Sequence, residues 1–287
     1  MKVGFTLIGL SLRNIPIVSQ KAEEAGFDSV WMPEHLVAPV DFGSGYPYGG
    51  PPPIDPDSHL YDPFVTLGHV AALTSRILLA TGIYILPLRN PFVTARAVAT
   101  LDLLTQGRFI LGVGVGWLEE EFAVVGEEWG NRGRRTDEIL GILKGLWTEE
   151  TFKFQGDSYA FPAVKFYPKP AQKPHPPIIV GGDSDAALRR AARLGDGWYG
   201  SHVTLDMAKG AVRRLHELRE QAGRSHLPFQ VSCQCESTPT LDEARCYQEH
   251  GVDRIVVRPW TRDRSRSALE DVEEGMSRFV DQVLSKI

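Results

Sequence analysis

The chain has 287 residues, 43% of them hydrophobic and 23% charged, with a formal net charge of -5. That length suits either two average domains or one α/β barrel built on a single large core. The composition is that of an ordinary globular protein, and an acidic balance without a basic stripe argues against a nucleic-acid surface.

The first predicted strand, residues 3–8, begins almost at once, with no signal-peptide core before it. No apolar run in the chain approaches the length of a membrane span, so a cytoplasmic protein is expected. A helical pattern follows and ends at Ala25-Gly26-Phe27-Asp28, where the glycine fits the left-handed position that closes a helix, and a strand over 29–32 starts directly after it. The same punctuation recurs at Gly195-Asp196 and at Gly251-Val252-Asp253. Reading outward from these anchors gives further strands over 77–83, 109–113, 178–180, 197–200, 230–235 and 254–257, each followed by a helical pattern. Strands this continuously apolar are buried on both faces, as in parallel sheets, and eight such units favour closure over an open, doubly wound sheet. The expected fold class is α/β, a (β/α)8 TIM barrel forming one domain over residues 1–287.

Two connections exceed ordinary loop length. Residues 41–62 follow the second strand and carry glycines, prolines, Tyr46, Tyr48 and Tyr61; at a barrel's C-terminal face such a segment serves as a wall or lid, or simply as a surface loop. Residues 149–176 separate the fourth helix from the fifth strand, and their aromatic patches predict a small packed excursion with some strand character.

Candidate chemistry gathers at the predicted strand ends. Glu34-His35 ends the second strand, placing a carboxyl beside the side chain best suited to proton traffic near neutral pH. His202 holds a weaker claim by position. Thr81 to Tyr84 extend the third strand toward the mouth as a platform for a ring. Phe109 to Trp117 reads FILGVGVGW, and its alternate glycines, Gly112, Gly114 and Gly116, would let a flat ligand lie against main chain. The acids Glu119, Glu120, Glu121, Glu127 and Glu128 precede Arg132, Arg134 and Arg135 and read as a solvated loop with internal ion pairs, with one arginine available to a ligand acid. Val180-Gly181-Gly182 before a helix suits an anion or is a tight turn without a ligand. Asp183 would repel that anion and is expected to turn away and cap the helix. Cys233 and Cys235 lie on one face of a strand as reduced thiols, and no neighbouring ligands support a metal.

Taken together, Ala25 to Trp31, Glu34-His35-Leu36, Leu88-Arg89-Asn90-Pro91, Gly107 to Trp117, Arg132 to Asp137 and Pro176 to Trp198 resemble the luciferase-like monooxygenase superfamily. Within it, the chain resembles the oxidoreductases that use the deazaflavin coenzyme F420. The resemblance implies a (β/α)8 barrel that binds the cofactor at its mouth, with Glu34 and His35 beside the ring, Val115, Gly116 and Trp117 lining its middle, and Val180, Gly181 and Gly182 holding its phosphate. It also implies a non-prolyl cis peptide behind the ring, matched to the Ile83-Tyr84 bond, and a homodimer. Members that oxidise sugar phosphates carry glutamate where this chain has Trp117, which sets that substrate class aside unless Glu120 reaches the same space. The expected activity is hydride transfer between F420 and a partly apolar organic substrate, with His35 and Glu34 as catalytic residues. The alternatives are an FMN-dependent monooxygenase using reduced flavin and oxygen, and a non-catalytic flavin-binding or deazaflavin-binding protein.

Overall fold

A computed structural model describes the chain except residues 42, 48–51, 53 and 261–268. Its parallel strands are β1 (Lys2–Thr6), β2 (Ser29–Met32), β3 (Leu78–Thr81), β4 (Tyr84–Ile85) and β5 (Phe109–Gly114), with α1 (Asn14–Ala25), α2 (Pro63–Leu73) and α3 (Pro91–Leu104) between them. Next come α4 (Glu119–Val125), α5 (Arg132–Thr148) and the antiparallel hairpin of β6 (Phe152–Gln155) and β7 (Ala160–Val164). The chain then runs through β8 (Ile178–Gly181), α6 (Asp185–Leu194), β9 (Gly197–Val203), α7 (Leu205–Gln221), β10 (Gln230–Cys235), α8 (Leu241–Glu249), β11 (Arg254–Val257) and α9 (Leu269–Gln282).

Strand β1 pairs with both β2 and β11, and the ladder continues β2-β3-β5-β8-β9-β10-β11, so the eight-stranded parallel barrel is closed. The short β4 takes over from β3 alongside the end of β5. From Ala80 to Tyr84 one side advances four residues while its partners, Ile110 to Val113, advance three, so one extra residue bulges out between β3 and β4. The predicted strand 77–83 therefore stops at Thr81, and the non-prolyl cis peptide lies at Gly82-Ile83 and not at Ile83-Tyr84. Strand β9 runs three residues beyond its predicted end, carrying Ser201 and His202 to the mouth. The excursion between α5 and β8 is the expected small packed piece: the Phe152 ring presses so close to Gly145 that an added Cβ would lie 2.2 Å from it.

The larger core fills the space between strands and helices, while Trp31, Ala80, Ile110, Ile179, Tyr199 and Val256 fill the barrel itself. Trp31 and Tyr199 stack there with centroids 4.8 Å apart. Below them Arg254, 0% exposed, donates from Nε and Nη2 to the two Asp28 oxygens at 2.6 and 2.9 Å and lies over the Trp31 ring. This ion pair plugs the barrel floor. Removing one partner from a buried pair leaves the other charge uncompensated. Asp28→Ala is therefore expected to cost about 3–5 kcal/mol, read as a lowered urea midpoint with an unchanged slope.

Candidate active site

The C-terminal ends of the strands open into a cavity of about 1340 Å³, more than the few hundred to about 1,000 Å³ of a typical ligand pocket. Eight of the expected site residues line it: Glu34, His35, Ile83, Val115, Gly116, Trp117, Gly181 and Gly182. Thr81, Tyr84 and Val180 do not. Thr81 and Val180 are buried in the wall, with Thr81 Oγ1 donating to Gly112 O at 2.7 Å, and Tyr84 packs inward under the Arg89 guanidinium.

The glycine run of β5 serves a different purpose from the one expected. A Cβ on Gly112 would lie 2.0 Å from the Thr81 carbonyl oxygen, and one on Gly114 would lie 1.9 Å from Ile83 Cδ1. At Gly116, with φ +80°, it would meet Phe122 and Ile85. Gly112 and Gly114 thus clear space for the protein's own bulge and not directly for a ligand, while Gly116 makes room for Phe122 and Ile85 and also lines the cavity. Gly181 takes part as well, since its Cβ would stand 3.0 Å from Ile83. The result is a half-exposed Ile83 projecting into the cavity from a backbone seat shared by β5 and β8.

Glu34 and His35 are adjacent in sequence and take different partners. Glu34, its side chain 1% exposed, accepts from the Ile85 amide at 2.6 Å and pairs with Arg89. Burial pushes its carboxyl up to about 7 against the lowering by Arg89 and the Ile85 amide. His35 Nδ1 lies 2.8 Å from Glu121 Oε2, and the other Glu121 oxygen accepts from the Leu36 amide at 2.6 Å. Because that carboxyl already serves as an acceptor, the partner assignment makes Nδ1 the donor and leaves Nε2 to exchange a proton.

Glu121 is 0% exposed, so the solvated acid block expected over Glu119 to Glu128 is corrected at its most important member. A signal was present: Leu118, Phe122 and Val125 set an apolar helical stripe, and Glu121 lies within it. Glu120 does not replace the missing sugar-phosphate glutamate, because its Oε1 accepts from the Gly43 and Ser44 amides at 2.7 and 3.0 Å. It thereby ties the start of the long loop to α4. From that loop Tyr46 packs edge-on against Trp117 and His202, with centroids at 5.2 and 6.1 Å, and Trp117 packs edge-on against His35. Residues 54, 55 and 57–61 also line the cavity, so the described part of the loop is a wall; Tyr48 lies outside the described residues. Burial lowers the pKa of His202.

At the opposite lining, Gly182 has φ +114° and a Cβ there would meet Ala187 at 3.0 Å. Its N–H is directed to Tyr199 O at 3.3 Å, so the anion-binding capacity lies in the first turn of α6, whose N–H groups lack intrahelical acceptors. Ser184, and not Asp183, caps that helix by accepting from Ala187 N. Asp183 is among the residues at this end of the cavity, but both of its carboxyl oxygens are closed to solvent; burial pushes the carboxyl up to about 6 against the lowering by a hydrogen bond from the Ser201 backbone. Among the described lining residues Arg132 is the only lysine or arginine, its guanidinium stacked 3.5 Å from the Trp129 ring centroid. A large cavity, a glycine-built anion end and a hydrogen-bonded imidazole fit a phosphorylated planar cofactor.

The family model for luciferase-like monooxygenases matches residues 5–278, and the chain belongs to that family. Its members are oxidoreductases and monooxygenases that bind flavin or deazaflavin cofactors. An uncharacterized protein of Mycobacterium tuberculosis (strain ATCC 25618 / H37Rv) is 32% identical over 284 residues, 95% of each chain. An FMNH2-dependent dimethylsulfone monooxygenase of Pseudomonas putida is 35% identical over 209 residues, which is 71% of this chain and 52% of that one. A solved F420-dependent secondary alcohol dehydrogenase, in complex with an F420-acetone adduct, matches with a TM-score of 0.78 at 17% identity, covering 99% of this chain and 98% of that one.

Two tests of the site follow from its packing and charge. Gly114→Ala drives a methyl into Ile83 and is expected to destabilise by about 1–3 kcal/mol. Ile83→Ala in the same chain restores most of that loss, and a double-mutant cycle in urea measures the coupling. Gly112→Ala, which meets backbone at Thr81, should not be rescued this way. For Glu34, a raised pKa means that its contribution to stability is complete below pH 4.5 and is lost as pH rises through about 7. Urea midpoints of wild type should therefore fall over that window relative to Glu34→Gln, by about 3 kcal/mol at most; parallel profiles would show that Arg89 keeps Glu34 ionised throughout.

Proposed function

We propose that the protein is an oxidoreductase that transfers a hydride between coenzyme F420 and a partly apolar organic substrate. The observation that carries this reading is His35, which lines the same cavity as the Gly82-Ile83 bulge and is held from behind by the buried Glu121. When bound, F420 supplies an obligate two-electron hydride carrier. In this reading Ile83 backs the flat face of the ring, and Val115, Gly116 and Trp117 flank its middle. The first turn of α6 with Gly181 and Gly182 holds the phosphate end. His35 Nε2 gives or takes the proton that accompanies the hydride, while Glu121 fixes the imidazole's orientation through Nδ1. Glu34 anchors Arg89 and the Ile85 amide beneath the site and so positions its neighbour His35. Tyr46 and Trp117 limit water and offer the substrate an apolar wall.

The choice of F420 rests on the motif likeness and is supported by the end-to-end match to the F420-dependent alcohol dehydrogenase. A second reading, an FMN-dependent monooxygenase, is favoured by the higher sequence identity to the Pseudomonas putida enzyme. A homodimer belongs to the first reading as well. Its support is the exposure of Val65 on α2 and of Val93 and Leu104 on α3.

Fluorescence titration of the purified protein with each cofactor separates the readings. F420 is expected to saturate and FMN to bind at least tenfold more weakly, and a preference for FMN overturns the choice. With F420 bound, His35→Ala should lower kcat by about 10²-fold or more while leaving cofactor affinity within a few fold. Unchanged turnover would remove His35 from proton transfer.

A further inference from the structure

The floor of the cavity is polar, and the proposed reaction uses none of its side chains. Tyr199 belongs both to the layer that fills the barrel and to the cavity lining, which makes it the floor. Its hydroxyl lies beside the bulge that carries Ile83, since a Cβ on Gly82 would stand 3.6 Å from it. That hydroxyl donates to Gln234 Oε1 at 3.0 Å, and Ser201 Oγ stands 3.5 Å from the same oxygen. The carboxamide is thereby oriented, with its oxygen toward the hydroxyls. Its nitrogen carries two further donors. Gln234 lines the cavity half-buried, and its Nε2 meets no acceptor among the described residues, yet is not sealed from solvent.

Local backbone geometry brings this floor together. From Gly200 to Val203 strand β9 advances three residues while β10 advances two, from Cys233 to Cys235, so β9 carries a second bulge. In a regular strand Tyr199 and Ser201 would face the barrel interior and His202 would face away. His202 instead takes φ +55°, a left-handed conformation uncommon outside glycine, and lines the cavity beside them with Nδ1 3.0 Å from Ser201 Oγ. Burial and Arg258 lower its pKa against the raising by Glu236, so the imidazole is neutral near neutral pH. Tyr199, Ser201, His202 and Gln234 therefore offer hydrogen bonds without charge, which suits the edge of a neutral heteroaromatic ring better than an anion. The anion end lies one strand away on β8, where the Gly182 N–H is directed to Tyr199 O. We propose that Gln234 receives the carbonyl edge of the cofactor ring, donating from Nε2 to a ring carbonyl oxygen, with Tyr199 and Ser201 holding the carboxamide in that orientation. The role follows only if Ile83 backs the ring, as in the function proposed above. It is the same for either cofactor, because F420 and FMN share an edge of carbonyl, N–H and carbonyl.

Fluorescence titrations of riboflavin, FMN and F420 against wild type, Gln234→Leu and Gln234→Glu test this role. Leu removes the carboxamide, whereas Glu keeps an acceptor for Tyr199 and loses the donor. Both variants are expected to bind every ligand that wild type binds about threefold to tenfold more weakly. The factor for Leu should be equal for FMN and riboflavin, which differ only in the phosphate. The visible absorption band of the bound ring should also move in both variants, because a hydrogen bond at a ring carbonyl is lost. Thermal melts check that the variants fold, and Glu, isosteric with Gln, keeps the packing should Leu disturb it. Unchanged affinities, or a loss confined to the ligands that carry phosphate, overturn the role of Gln234. A loss with Leu but not with Glu assigns the effect to packing around Tyr199 and likewise overturns it. Failure of wild type to bind any of the ligands overturns the cofactor reading itself, and the role with it.

Discussion

The close approach of the Thr81-Gly82-Ile83 bulge to strand β5 is the contact on which the site depends. It exists because β5 presents no side chains at Gly112 and Gly114, where a Cβ would lie 2.0 and 1.9 Å from a neighbouring atom, far inside van der Waals contact. With the bulge seated, β3 can end and β4 can begin one residue out of step, and Ile83 is delivered into the cavity while Tyr84 turns into the core. Gly181 on β8 completes the seat from the other side. Three strands thus fix one side chain at the centre of the mouth. Protein interiors are too densely packed for it to shift freely.

The same seat fixes the electrostatics. Because Ile85 resumes the ladder at β4, its amide is available to Glu34, and Arg89 just beyond reaches the other Glu34 oxygen. Glu34 lines the cavity but its carboxyl is engaged by Ile85 and Arg89, which leaves His35 as the residue of the pair better placed to address a ligand. Glu121 then takes the inner nitrogen of His35 along with the Leu36 amide. Backbone amides hold both carboxyls, so the acids are placed by the ends of strands and helices and not by surface side chains. That is the kind of support a preorganised site requires.

The sequence pattern made the barrel legible because eight apolar strands and three glycine-aspartate turns repeat one unit. Strands β2, β10 and β11 have the bounds expected from the sequence. The break after Thr81 is marked in the sequence only by Gly82, a residue that weakens a strand and often accompanies a bulge, and whether the bulge forms is set by what the neighbouring strand permits. For the same reason the purpose of the β5 glycines was misread: a missing Cβ announces close approach but does not say whether ligand or main chain arrives. Glu121 was hidden by composition, as one acid in a run of three, although its place on the Leu118-Phe122-Val125 stripe marked it as buried. Asp183 was assigned to a cap that Ser184 fills equally well one residue later, at the geometry the helix start demands.

These corrections change how the cavity divides its work. The end near His35 is built from paired acids and aromatic edges, and Glu120 extends that order by binding the backbone of the long loop to α4 and bringing Tyr46 over Trp117. The end near α6 has helix N–H groups and Asp183, whose buried carboxyl is raised in pKa by burial against the lowering by a hydrogen bond from the Ser201 backbone. The two poles of the barrel are therefore held by different means: the Asp28–Arg254 ion pair closes the floor, and carboxylates that accept from backbone amides order the mouth.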